Sequence, residues 1–297
     1  MLALAAGQGL PPPGGLTTVR VGEVVVAARP GDLALGIALA ETAGQPRVWY
    51  GLGRRVPGPL RLALVRGEGS ADRLLHGRGP TWGAGFALPE SRTIIIRADG
   101  GDPWGILRHE LAHLALHDAV HSRVPLWFDE GYAAVASGEW GRLVALRLNL
   151  SIARGEVPTL FELDRALRGG ATTAEAAYAL AASAVALLAR RNPERSLTPL
   201  LDRLADGLGF DEAVLATTGW PVGRFEIEWQ KDVRRRFGWL VWAAAGGFWV
   251  VIGVLLAVGV WYRRRRDRPR REALNVGWVV EPDEEPAPPL DQSGGDP

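Results

Sequence analysis

Cysteine is absent from all 297 residues, so the chain can build neither a disulfide framework nor a thiolate metal site. Any metal must be held by histidine or carboxylate. Lysine is nearly absent as well, Lys231 being the only one; the other basic residues are arginines, a composition bias that carries little chemistry. Nor is there an excess of either charge. The formal net charge of +1 offers no field for a polyanion, and nucleic acid is not expected as a partner. What is plentiful is apolar side chain, at 47%, enough to bury a substantial core.

Against this background one hexapeptide stands out, Arg108-His109-Glu110-Leu111-Ala112-His113. Two imidazoles four residues apart lie one above the other on a helix, so His109 and His113 can reach the same ion, with Glu110 beside them to take a proton from its bound water. Zinc suits such nitrogen ligands, and a catalytic zinc site keeps an open position for water. Asp102 and Pro103 are the expected cap and first residue of the helix, which runs towards Ala119. His117 and His121 continue the spacing, but each step of four climbs about 6 Å, so they are read as outer-sphere or surface histidines.

A third ligand is offered by Leu126-Trp127-Phe128-Asp129-Glu130-Gly131-Tyr132-Ala133, where Glu130 follows His113 by 17 residues. Pro125 opens this second helix, and the short connection His121-Ser122-Arg123-Val124 makes the two helices antiparallel neighbours, so that Glu130 can face the histidines. A metzincin would instead need glycine three residues after His113 and histidine six after it. Leu116 and Ala119 stand there.

Together the two segments resemble the gluzincin metallopeptidases, and HELAH followed by WFDEGYA resembles the peptidase-MA-like domains of bacterial proteins. The resemblance covers about Leu74 to Arg235, where Phe225-Glu226-Ile227-Glu228-Trp229 resembles the family's closing helix. It implies that Glu130 completes a Zn2+ site with His109 and His113, and that Glu110 is catalytic. It implies further that a strand at Gly83 to Leu88 lies along the cleft and takes substrate backbone as an added strand. Aminopeptidase-type gluzincins carry an acidic residue in that strand; its absence here implies an endopeptidase-like cleft. Relatives often carry a tyrosine facing the metal near the position of Tyr178, whose phenol would stabilise the oxyanion. Tyr132 competes for that role.

The expected fold class is α+β and zincin-like: a small N-terminal α/β lobe with an edge hairpin, a C-terminal helical lobe, and one C-terminal transmembrane helix. Strands are read at Thr18 to Ala27, Val48 to Leu52 and Leu60 to Val65, a helix at Asp32 to Ala43, and a hairpin from Trp82 through Thr93 to Ala98. Helices follow at Glu139 to Arg154, Leu160 to Leu167 and Thr173 to Arg191. The peptidase-like domain is thus bounded at 17–236. Residues 1–16, with the short apolar run Leu2 to Ala6, are read as a truncated export signal or linker.

Trp239 to Tyr262 contains 24 residues without a charge, framed by Trp239, Trp242, Trp261 and Tyr262, and the segment 237–262 is expected to be a transmembrane helix. Seven basic residues follow it and four precede it, which places the disordered tail 263–297 in the cytoplasm and the catalytic domain outside. The expected function is a membrane-anchored zinc endopeptidase acting on a peptide or protein substrate. A catalytically silent metal-binding receptor or scaffold, and a tail-anchored cytoplasmic peptidase, stay open.

Overall fold

The computed structural model describes residues 15–75, 83–138, 157–237 and 248–275. The chain divides into two units, 1–241 and 242–297. In the first, strands β1 (Thr17–Val21), β2 (Val24–Ala28), β5 (Leu60–Val65), β7 (Thr93–Arg97) and β6 (Gly85–Leu88) form one sheet in that spatial order. The short hairpin β3 (Arg47–Trp49) and β4 (Gly53–Arg55) stands apart from it.

The fold class is mixed α/β, which corrects the α+β expectation. β2, β5 and β7 run parallel, and only the two outer strands, β1 and β6, are antiparallel to their neighbours. Parallel neighbours need a crossover, here supplied by helix α1 (Leu33–Ala43) between β2 and β5, and by helix α2 (Glu68–Leu75) between β5 and β7. Helices on both faces bury both faces of β7, hence its unbroken Ile94-Ile95-Ile96. Ile94 and Ile96 pack with Leu62, Leu64, Leu39 and Leu107 on one side. Ile95 joins Val65, Ala71 and Leu75 on the other. Thr18 to Ala27 is likewise two strands and a turn rather than one run.

The helical lobe begins with α3 (Pro103–Ala119) and α4 (Leu126–Ala136), and continues through α5 (Leu160–Leu167), α6 (Ala171–Arg191), α7 (Thr198–Ala205), α8 (Phe210–Thr218) and α9 (Val222–Phe237). Its centre is aromatic. Trp127 of α4 stacks on Phe225 of α9 at 6.0 Å and meets Phe210 edge-on at 5.6 Å, while Phe128 meets Phe210 at 5.0 Å. Trp229 Nε1 donates to Ser183 Oγ at 2.8 Å, which ties α9 to α6. The β3–β4 turn binds the lobes together. Gly51 has a positive φ of 74°, and a Cβ there would lie 2.8 Å from Leu197 and Leu201, so only glycine fits both the backbone and the space.

In the second unit, helix α10 (Phe248–Asn275) runs directly from an uncharged stretch into Arg263–Arg266. Among the described residues no helix is long and apolar enough to cross a membrane. This overturns the transmembrane assignment: among the described residues the uncharged part of α10, Phe248 to Tyr262, rises about 22 Å, against about 30 Å of bilayer core, and the helix then runs on into arginines. The single-pass localisation, with the catalytic domain outside and the tail in the cytoplasm, rested on that span and falls with it. Residues 263–275, assigned to a disordered tail, are helical. The candidate leader at Leu2 to Ala6 and the helix expected from Glu139 to Arg154 lie outside the described residues.

Candidate metal centre and cleft

Helix α3 starts where its local sequence dictates. Asp102 accepts a hydrogen bond from the Trp104 backbone N–H at 3.1 Å, and Pro103 takes the first helical position, where a missing N–H costs nothing. The helix extends to Ala119 and carries His109 and His113 on one face, their rings 4.9 Å apart. Glu110 and His113 are buried.

Helix α4 has no side-chain cap of its own at Pro125. Asp164, from α5, supplies one by accepting from the Trp127 N–H at 2.7 Å. Trp127 and Phe128 then bury into the aromatic centre, which leaves Asp129 and Glu130 on the side of α3. Gly131 faces α6. A Cβ on Gly131 would lie 2.5 Å from the Ala181 carbonyl oxygen and 2.8 Å from Val185, so glycine is what allows the two helices to approach this closely.

Ligand atoms of His109, His113 and Glu130 lie within 4.8 Å of one another. Glu130 Oε2 is 3.4 Å from His109 Nε2 and 3.4 Å from His113 Nε2. Two ligands about 2.05 Å from one ion at the tetrahedral angle stand about 3.3 Å apart, so these separations suit a single metal. The donor set also fits chemically. His113 Nδ1 donates to Asp129 Oδ1 at 2.6 Å, so that its Nε2 is the nitrogen turned to the site. Asp129 Oδ2 accepts from His117 Nε2 at 2.8 Å.

Burial resists charging the Glu130 carboxyl, but His113 and His109 outweigh it and hold its pKa down at about 2. Asp129 is held well below the usual carboxylate range in the same way, its burial being outweighed by His113 and His117. For His113, burial opposes protonation and the carboxylates of Asp129 and Glu130 outweigh it, raising its pKa well above the ordinary value. Asp129 and Glu130 therefore stand as ionised carboxylates paired with the imidazoles beside them.

The family model of the peptidase MA superfamily matches residues 71–235, more than half of the chain. The chain belongs to the peptidase MA superfamily. Members of that superfamily are typically metal-dependent. No curated protein sequence matches the chain.

The peptidase MA domain opens the His-His-Glu cluster onto a cavity of about 330 Å³, lined by His109, Glu110, His113, Glu130 and Tyr178, and by Phe86, Leu88 and Leu126. Edge strand β6 forms one wall. It begins at Gly85, two residues later than the strand read at Gly83 to Leu88. A Cβ at Gly85 would lie 2.6 Å from Glu110 Oε1, so the carboxylate fills the space that a side chain would take. The Gly83 position is filled by the Phe86 ring, 2.5 Å from where a Cβ would be.

Tyr178, on α6, brings its ring edge-on to His109 at 6.2 Å and lines the cavity. Tyr132 does not reach it. Two residues beyond Glu130 is about 200° around the helix, and Tyr132 is fully buried, its hydroxyl donating to the Tyr50 carbonyl at 3.1 Å. Burial pushes its phenol pKa well up. His121 is tied to the Ala205 carbonyl through Nδ1 at 3.0 Å, away from the cluster. Sequence reasoning passed over Asp129 and Asp164. Asp129 was visible as the acid preceding Glu130; Asp164 gave no signal, because its partner lies 37 residues away.

Proposed function

We propose that this chain is a zinc-dependent endopeptidase of the gluzincin type, hydrolysing internal bonds of a peptide or protein. The observation that carries the reading is the group of three ligand atoms within 4.8 Å, set in an open cavity beside Glu110. His109, His113 and Glu130 would hold the ion. Zinc, when bound, polarises the scissile carbonyl and makes a water nucleophilic near neutral pH. Glu110 accepts the proton of the attacking water and delivers it to the departing amine nitrogen, so that carboxyl and amine products leave with the proton balance closed. Tyr178 donates a hydrogen bond to the oxygen that gains negative charge, a contribution of about 2–4 kcal/mol in comparable sites.

Strand β6 would align the substrate backbone as an added antiparallel strand along the cleft, with Phe86 and Leu88 contributing apolar wall. No acidic residue lies within β6 to hold a free amino terminus, which favours internal over N-terminal cleavage. The openness of the cleft and the presence of Glu110 argue against a silent scaffold.

The deciding test is Glu110→Gln. The purified variant should bind one equivalent of zinc and cleave a peptide library about 10²- to 10⁴-fold more slowly than the wild type. Near-normal turnover would sink the assignment of Glu110, and a wild-type protein that binds no zinc would sink the metal site.

A further inference from the structure

We propose that His117 is a positioning residue for the metal site, acting through Asp129 to fix the orientation of His113. The inference rests on the reading of His109, His113 and Glu130 as metal ligands. His117 itself lies outside that ligand group. Its Nε2 donates to Asp129 Oδ2 at 2.8 Å, while Asp129 Oδ1 accepts from His113 Nδ1 at 2.6 Å. Each oxygen of the carboxylate is therefore committed to one imidazole.

Both commitments matter because of how a carboxylate moves. An aspartate torsion ending in a planar group is broad and roughly two-fold, so with one partner the carboxylate can swing and exchange its oxygens, releasing His113 each time. A second charge-assisted bond, on the other oxygen, resists that rotation. The two anchors are well placed to do so. His113 and His117 are one helical turn apart on α3, a spacing the backbone holds rigid at about 6 Å. Asp129 comes from α4, immediately before Glu130. The bridge therefore clasps α4 to α3 at the level where Glu130 Oε2 meets His109 and His113, each at 3.4 Å. Outer-sphere partners that orient a ligating histidine typically account for 10- to 100-fold in metal affinity.

The test uses the purified full-length protein and zinc, with affinity measured by competition against a chromogenic chelator and stoichiometry measured at saturation. His117→Ala should still bind one equivalent, with affinity weakened about tenfold, the low end of that range. His117→Gln, which can place an amide N–H close to the position of Nε2, should recover most of the loss. Asp129→Asn, which cannot accept from both imidazoles, should lose up to about 100-fold. Should His117→Ala not fold, the contrast between His117→Gln and Asp129→Asn carries the same information.

A readout independent of the metal is the His113 Nδ1–H proton, followed by NMR in zinc-free protein. It should exchange slowly in the wild type and faster in His117→Ala. Unchanged zinc affinity together with unchanged proton exchange in His117→Ala would overturn the positioning role while leaving the metal site standing. A wild type that binds no zinc would overturn the metal reading, and the proton exchange would then decide by itself whether His117 holds His113.

Discussion

Helices α3 and α4 meet at one site but are held in place by different means. The helix bearing both histidines begins with its own cap, Asp102, and its own Pro103, and its ligand spacing is a property of the helix alone. The helix bearing Glu130 has no cap of its own. It takes one from Asp164, rests Trp127 on Phe225 of α9, and presses Gly131 against the Ala181 carbonyl. Half of the proposed metal site is therefore specified within a few residues. The other half is specified by contacts up to about a hundred residues away, and its geometry should be the more fragile.

The largest effect should come from Phe225→Ala. Phe225 is fully buried and its ring stacks on Trp127 at 6.0 Å. Removing such a ring typically costs about 3–5 kcal/mol. Because Trp127 stands one turn ahead of Glu130, the variant should also bind zinc more weakly. Urea unfolding and chelator competition measure the two effects separately. A destabilised variant with wild-type zinc affinity would mean that α4 takes its position from α3 and not from the helices behind it.

Gly131→Val addresses the same helix from its other side. Its Cβ would meet the Ala181 carbonyl oxygen at 2.5 Å, a contact with backbone that no rotamer relieves. Overpacking of this kind costs about 1–3 kcal/mol. The displacement separates α4 from α6, which carries Tyr178, so turnover should fall more than zinc affinity does. Equal losses in both would show that Tyr178 contributes nothing of its own.

The same contrast explains what could be read from residue order. His109, His113 and the α3 cap were legible because their logic is local. Glu130 was legible because the connection from α3 is short. Asp164 and Glu226, which accepts from the Leu160 N–H at 2.9 Å, were not: a cap supplied from another helix leaves no trace at the helix that it caps. The parallel pairing of β2, β5 and β7 was missed because alternation of apolar residues marks a strand without stating its direction. The run from Trp239 to Tyr262 misled for a related reason. A count of uncharged residues measures what a bilayer would tolerate, whereas the described helix carries on without a break from its uncharged part through Arg263.

A milder pair of variants tests local against distant capping. Asp102→Ala and Asp164→Ala each remove one acceptor from a helix start, at 3.1 Å and 2.7 Å respectively. Each should cost about 0.5–2 kcal/mol. Only Asp164→Ala should weaken zinc binding, since Trp127 lies three residues from Glu130 while Asp102 lies seven from His109. If Asp102→Ala weakens it equally, the local half of the site is less self-sufficient than its sequence implies.

The smallest effect concerns an element fixed from a distance that carries no site residue. Asp32, at the start of α1, is buried, and Arg66 beyond β5 donates to both of its oxygens, with Nε at 3.0 Å and 2.9 Å. The Arg66 hydrogen bonds hold the Asp32 pKa below its ordinary value, outweighing burial, which acts the other way. A carboxylate whose pKa is lower in the folded state stabilises that state above its unfolded pKa of about 3.9, and the contribution is lost as pH falls through the folded value. Asp32→Asn should therefore be less stable than the wild type at neutral pH, with the gap between them narrowing as the solution is acidified below about pH 4. Zinc affinity should not change, because distant anchoring matters to the metal only where the anchored helix bears a ligand. A gap that stayed constant into acid would show that Asp32 acts through packing and not through its charge, and a loss of zinc affinity would show that α1 bears on the site through α3.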